Sequence, residues 1–166
     1  TVPAGPIMVP SAALIGLPEY ADLARIATLV IRHPLALDEV LKTTEAPYQY
    51  KLAERLLEGA SIDGKGAEQA AILLEAAANT GADYAASRLA FMLQYGLGAP
   101  ADLQKARKFA EMAAAAKETF ALFQLARLAE KDHPSDPKSA LAAYQRLFKE
   151  ARNDNPTNFL RWLISN

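Results

Sequence analysis

The chain of 166 residues has no cysteine. Disulfides and thiolate chemistry are therefore excluded, and either redox compartment is compatible with that absence. Only two histidines are present, His33 and His133, each next to a proline at an expected helix end. With no cysteine and no second histidine at ligand spacing, no metal-ligand set can be assembled. A catalytic histidine would need a nucleophile or paired carboxylate beside it, and none is evident, so both histidines read as solvated or capping residues. No charge of one sign dominates: 18 Lys and Arg stand against 19 Asp and Glu, for a net charge of -1. Without a basic stripe, nucleic acid is not an expected partner. No apolar run approaches the roughly 20 residues of a membrane-spanning helix. Ile7 to Leu17 is apolar but short, and it is broken by Pro10 and Gly16. It lacks a basic lead-in and an initiator methionine, so it does not read as an intact signal peptide. The start at Thr1 is that expected of a processed chain or an excised domain. No segment shows strand alternation bounded by turn signals.

The composition is that of an ordinary globular chain, 51% apolar and 22% charged, with length for one domain and a proper core. Alanine is used heavily, as closely packed helices require. Residues 1–17 carry Pro3, Pro6 and Pro10 and are expected to form an extended arm. A helical N-terminal cap is expected over 18–46. Its first helix starts at Pro18 and is stopped by Pro34, and a short helix follows from Leu35 to Lys42. From Pro47 onward, helices come in pairs. The first pair is Pro47–Glu58, ended by Gly59, and Ala67–Asn79. The second is Tyr84–Tyr95, capped by Asp83 and ended by Gly96, and Leu103–Ala116, capped by Asp102. The third is Thr119–Lys131 and Pro137–Ala151, the latter opened by Asp136 as N-cap with proline at N1. Asn155 and Pro156 repeat that device for a capping helix within 152–166, where Phe159, Leu160, Trp162, Leu163 and Ile164 form an apolar face. A docking helix is the other use of that segment.

The pairs repeat. Leu52 and Leu89 are 37 residues apart, Leu89 and Leu125 are 36 apart, and Ala77 and Ala113 are 36 apart. Small residues at Ala85, Ala106, Ala113 and Ala114 let helices approach, while Leu89 and Phe109 fill the space between them. A lone helix pair cannot bury its apolar face, so neighbouring pairs must stack.

The stretch Ala85–Ala114, AASRLAFMLQYGLGAPADLQKARKFAEMAA, resembles a Sel1-like repeat, a relative of the tetratricopeptide repeat. The matching positions are Ala85, Leu89, Met92, Gly96, Gly98, Pro100, Asp102, Lys105, Ala106, Ala113 and Ala114, with Phe109 in place of the usual Trp. It departs from the pattern at Leu93, where Tyr is usual, and at Lys117, where Gly is usual. Residues 47–82 read as a second copy with a longer loop. Residues 119–151 read as a degenerate copy whose glycine turn has become Lys131 to Pro134. The resemblance implies an all-α fold: a short right-handed α-solenoid of antiparallel helix pairs over 47–151, divided at 47–82, 83–118 and 119–151. It also implies a non-catalytic adaptor for protein partners, often bacterial and often in the cell envelope. A periplasmic or secreted location is favoured by that resemblance alone, and a cytoplasmic one stays open.

Candidate chemistry is sparse. Gly59 to Gly66, GASIDGKG, nearly spells a phosphate-binding loop, but Gly66 stands where Ser or Thr must reach Mg²⁺, and a helix rather than a strand precedes it. It reads as an interhelical loop. Glu54 and Glu58 share a helix face, yet no second acidic cluster matches them for glycoside chemistry, so a solvated face is the better reading. No catalytic residue, cofactor or metal is expected. An enzyme would require a domain beyond this sequence.

The related tetratricopeptide arrangement implies that the first (A) helix of each pair lines the concave side. The groove positions lie two before, two after, and five and six after its buried leucine. Around Leu52 these are Tyr50, Glu54, Leu57 and Glu58. Around Leu89 they are Ser87, Phe91, Gln94 and Tyr95. Around Leu125 they are Phe123, Arg127, Glu130 and Lys131. Tyr50, Phe91, Tyr95 and Phe123 would then form an exposed aromatic row, a common mark of a recognition surface. The expected occupant is a protein or peptide. The alternative is a glycan, with sugar faces stacked on the rings and hydroxyls donating to Glu54 and Glu58.

Overall fold

The computed structural model describes residues 22–63, 65–132 and 135–151. These contain eight helices: α1 Leu23–Arg32, α2 Pro34–Thr43, α3 Ala46–Asp63, α4 Ala67–Asn79, α5 Asp83–Tyr95, α6 Leu103–Ala115, α7 Thr119–Asp132 and α8 Pro137–Ala151. No strand occurs among the described residues. The extended arm, the Pro18 start and the 152–166 capping helix lie outside them.

Local signals set most boundaries. His33 precedes Pro34 and is extended at φ -132°, which separates α1 from α2. Asp102 accepts a hydrogen bond from the Lys105 N–H at 2.9 Å and starts α6. Asp136 accepts from the Lys138 N–H at 3.1 Å before Pro137 opens α8. Removing the first of these caps is the smallest informative perturbation. Asp102→Ala is expected to cost about 1 kcal/mol. Thermal melting followed by circular dichroism should fall by roughly 2–4 °C, and Asp102→Asn should melt close to the parent.

Three boundaries differ from the sequence expectation. α3 does not stop at Gly59 but continues to Asp63. A helix-interior glycine costs only about 1 kcal/mol, and the reversal occurs later, around Gly66 at φ +96°. Gly59 to Asp63 of the would-be phosphate loop are thus helical, so their amides do not form an anion cradle. Asp83 is the first residue of α5 rather than its cap; Ala82 holds the cap position, with no side-chain hydrogen bond. The third difference is a cap that the sequence did not advertise. The Glu118 carboxylate accepts from the N–H groups of Phe120 at 3.2 Å and Ala121 at 2.7 Å, and so begins α7. Just before it, Lys117 has φ +63°. This turn calls for a left-handed residue, and lysine bears the penalty where the Sel1-like pattern carries glycine.

The helices pack as consecutive hairpins, α3 on α4, α5 on α6 and α7 on α8, with α4 against α5 and α6 against α7. One apolar core runs through the stack from Ile26, Val30 and Val40 to Leu122, Leu128 and Leu147. Alanines make the close crossings: Ala70, Ala77 and Ala78 on α4, Ala85, Ala86 and Ala90 on α5, Ala106, Ala110, Ala113 and Ala114 on α6. Phe109, 1% exposed, is among the largest side chains buried between them. Lys105 Nζ reaches Glu75 at 2.8 Å and ties α6 to α4 along the edge. α1 and α2 close the N-terminal side, with α1 on α3 and α2 on α4. The result is an all-α solenoid.

Candidate functional site

In each hairpin the first helix carries the surface of interest. α5 packs directly on α7 in addition to its own partner. The A helices α3, α5 and α7 thereby form one face, and that face holds a cavity of about 610 Å³. α3 contributes Tyr50. α5 contributes Tyr84, Ser87, Arg88, Phe91, Gln94 and Tyr95. The α7 side contributes Glu118, Phe120, Phe123, Gln124 and Arg127. On α5, residues 84, 87, 88, 91 and 95 follow the i, i+3, i+4, i+7, i+11 spacing of a single helix face. On α7, residues 120, 123, 124 and 127 do the same. The two sets are also equivalent in the repeat, because Tyr84 and Phe120, Ser87 and Phe123, Arg88 and Gln124, and Phe91 and Arg127 are each 36 residues apart.

The rings contact one another in the offset and edge-on geometries that aromatic pairs favour. Tyr50 meets Tyr84 edge-on at a centroid distance of 4.6 Å. Phe91 lies 4.8 Å from Tyr95 and 6.0 Å from Phe120. Tyr95 and Tyr84 remain exposed, at 52% and 41%. Below the rings sit buried polar side chains, Ser87, Gln94 and Gln124. Ser87 Oγ donates to the Tyr84 carbonyl at 3.2 Å. Both polar atoms of the Gln124 carboxamide are buried and have no hydrogen-bond partner among the described residues.

Of the charges lining the cavity, Arg88 and Glu118 are already engaged. Arg88 Nε faces Glu54 Oε1 at 3.0 Å, an ion contact joining α5 to α3 whose angle falls short of a hydrogen bond. Glu118 is occupied as the α7 cap. Tyr144 donates to Glu130 at 3.3 Å, and Arg127 lies beside the same hydroxyl. Burial, followed by the Glu54 carboxylate, holds the Tyr50 phenol above its ordinary pKa. It therefore stays protonated, and a donor, at physiological pH. Burial and then Glu130 act on Tyr144 in the same direction.

Of the residues expected at the groove, Tyr50, Ser87, Phe91, Gln94, Tyr95, Phe123 and Arg127 line the cavity. Glu54 is diverted to Arg88, Glu58 forms an exposed ion pair with Arg55 at 2.9 Å, Glu130 turns to Tyr144, and Leu57 packs half-buried against the core. Leu125 is only partly buried; Leu122 and Leu128 do more of the packing on α7. Tyr84, Arg88, Glu118, Phe120 and Gln124 were not foreseen. Extending the same helix face one turn toward the N-terminus, and repeating it 36 residues on, finds all of them except Glu118.

Among the described residues, no group of three or more histidines and carboxylates could hold a metal ion, and no helix is long and apolar enough to cross a membrane. His33 lies in the α1–α2 joint and does not line the cavity. His133 lies outside the described residues.

A stack of antiparallel helix hairpins packed on their neighbours defines an α-solenoid as a class. Within that class, the chain folds as a Sel1-like repeat solenoid. The crystal structure of a Sel1 repeat protein from Oxalobacter formigenes matches it at 20% identity with a TM-score of 0.55, covering 77% of this chain and 55% of that one. This chain thus spans little more than half the length of that neighbour. No protein-family model and no curated protein matches the sequence.

Proposed function

We propose that the chain is a non-catalytic binding module that takes a segment of a partner protein on the face formed by α3, α5 and α7. The observation that carries this reading is the cavity itself: six aromatic residues, contributed by three successive A helices, around buried amides and a hydroxyl. Of the expected exposed row only Tyr95 is exposed, because Tyr50 and Phe123 pack half-buried against the core and Phe91 lies between Tyr95 and Phe120; tyrosines and phenylalanines gathered in a concave site are nonetheless what interfaces use as anchors. The Sel1-repeat neighbour supports a scaffold on fold grounds. A glycan draws less support, because the carboxylates that would accept sugar hydroxyls are engaged: Glu54 with Arg88, Glu58 with Arg55, and Glu118 as a helix cap.

Selection of displayed random peptides on the purified chain tests the proposal. Enriched peptides should lose roughly tenfold or more in affinity on Tyr95→Ala, with little change in melting temperature, because Tyr95 is largely exposed. Phe91→Ala should lose affinity and some stability as well, because that ring supports both Tyr95 and Phe120. Peptides that bind both variants as tightly as the parent would place recognition elsewhere. Binding of peptidoglycan fragments that disappears in Tyr95→Ala would replace the protein reading with the glycan one.

A further inference from the structure

The A-helix face changes character from one repeat to the next. On α5 its last two positions are Phe91 and Tyr95, both on the cavity wall. The residues 36 further on, in α7, are Arg127 and Lys131. Both are exposed, and neither takes part in an ion pair among the described residues. Arg127 lines the cavity, and Lys131 lies one turn beyond it on the same helix face. Glu130 is held by the Tyr144 hydroxyl at 3.3 Å. Arg127 lies beside that hydroxyl too, but a phenol oxygen occupies few of the five N–H donors of a guanidinium. The opposite end of the α7 face is aromatic. Phe120 contacts the Phe91 ring at 6.0 Å, and Phe123 packs half-buried on the core.

We propose that the segment bound on this face is acidic as well as apolar: an aromatic or bulky aliphatic residue seats on the rings, and a side-chain carboxylate two or three residues away pairs with Arg127. The proposal rests on the protein-binding reading above and specifies its ligand. Arg127 stands four residues from Phe123 and seven from Phe120, about 6 and 10 Å along the helix. An extended segment covers those distances in two or three residues. The planar guanidinium fork matches a carboxylate with two parallel hydrogen bonds. Lys131 adds attraction for the same charge from the rim. The cavity's other charges do not compete for it. Arg88 is matched by Glu54 at 3.0 Å, and Glu118 is spent on the amides of Phe120 and Ala121. A neutral segment would cover Arg127 without a counter-charge, and a basic one would meet two cations. An acidic residue avoids both penalties.

The probe is an array of short peptides, N-acetylated and C-amidated so that every carboxylate is on a side chain. Three sets share the same apolar positions and carry glutamate, glutamine or lysine at the others. The glutamate set should give the tightest binders to the parent. Exchanging the critical glutamate of the best binder for glutamine should weaken it about tenfold. Arg127→Gln should weaken the glutamate peptide by a similar factor and then no longer distinguish it from the glutamine one. Its melting temperature should stay near the parent, because Arg127 is exposed. Raising salt from roughly 50 to 500 mM should weaken the parent complex more than the Arg127→Gln complex. Arg127→Glu should reverse the preference and take the lysine counterpart. Glutamine or lysine peptides binding the parent best would overturn the proposal. So would a glutamate-to-glutamine exchange that costs the parent nothing, a result that needs no variant of the chain. A full cost persisting in Arg127→Gln would overturn it too, because the carboxylate would then be read elsewhere. If the best binders of another set are still lost on Tyr95→Ala, the groove survives and only its acidic preference fails. If no peptide of any set binds, the protein-binding reading fails with it.

Discussion

Gly98→Ala is expected to lower the melting temperature by roughly 4–20 °C, the sum of two penalties. Gly98 sits at φ +72° in the turn between α5 and α6. A side chain in the left-handed region costs about 1–2 kcal/mol. The second penalty comes from contact with the neighbouring hairpin. A Cβ on Gly98 would overlap the carbonyl group of Ala67 and stand 3.0 Å from the Glu68 nitrogen, at the first turn of α4. These are backbone atoms of a helix held by its own hydrogen bonds, so no rotamer change relieves the overlap. Overpacking of this kind adds about 1–3 kcal/mol, and each kcal/mol is worth roughly 2–4 °C in a chain of this length. Gly59→Ala is the matched control. Gly59 lies within α3, and a Cβ there meets nothing within 4 Å. That variant should melt at or slightly above the parent, by about 0.5–1 kcal/mol. If Gly98→Ala melts like the parent, the α5–α6 turn does not rest on α4.

Phe109→Ala is expected to remove about 3–5 kcal/mol. The ring is 1% exposed on α6, where buried Ala106, Ala110 and Ala113 leave little side-chain volume to fill the space. Small neighbours cannot collapse into the gap, so the variant retains most of the cavity it creates. Against a total stability of about 5–15 kcal/mol, the loss is large. In a linear stack it is also localised, because each hairpin is held mainly by its neighbours. Urea unfolding followed by circular dichroism should shift to a clearly lower midpoint and broaden as the α5–α6 hairpin uncouples from α7–α8. Phe109→Leu, which keeps most of the volume, should lose only about 1 kcal/mol. An alanine variant as stable as the parent would mean that Phe109 does not hold the stack together.

The helices were largely legible because their signals are local. Asp102 and Asp136 cap the helices they precede, Pro34 separates α1 from α2, and Gly96 ends α5. Gly59 misled because a glycine can be read as a stop only when the chain reverses there, and the reversal belongs to Gly66, at φ +96°, where a Cβ would crowd Leu56 and Ile31. Asp83 misled for a related reason: the turn at Gly81 lets α5 begin one residue early. For the candidate site, the frame borrowed from the related repeat pointed to α3, α5 and α7 and to Phe91, Tyr95 and Phe123, which line the cavity. It passed over Tyr84 and Phe120 because the borrowed frame began at the second turn of the A helix. It included Glu54 and Glu130, whose charges find partners on α5 and α8 before any ligand arrives.

The sequence by itself determined an all-helical chain and its pairing into hairpins. Periodicity, caps and small-residue spacing act over a few residues and need no knowledge of neighbours. Tertiary structure alone decided which polar groups are satisfied. Glu54 is paired because α5 brings Arg88 to it, Glu118 is occupied because α7 turns back on it, and Gln124 finds no hydrogen-bond partner among the described residues. A missing hydrogen bond depends on every group around the atom at once, so it becomes visible only when all of them are in place.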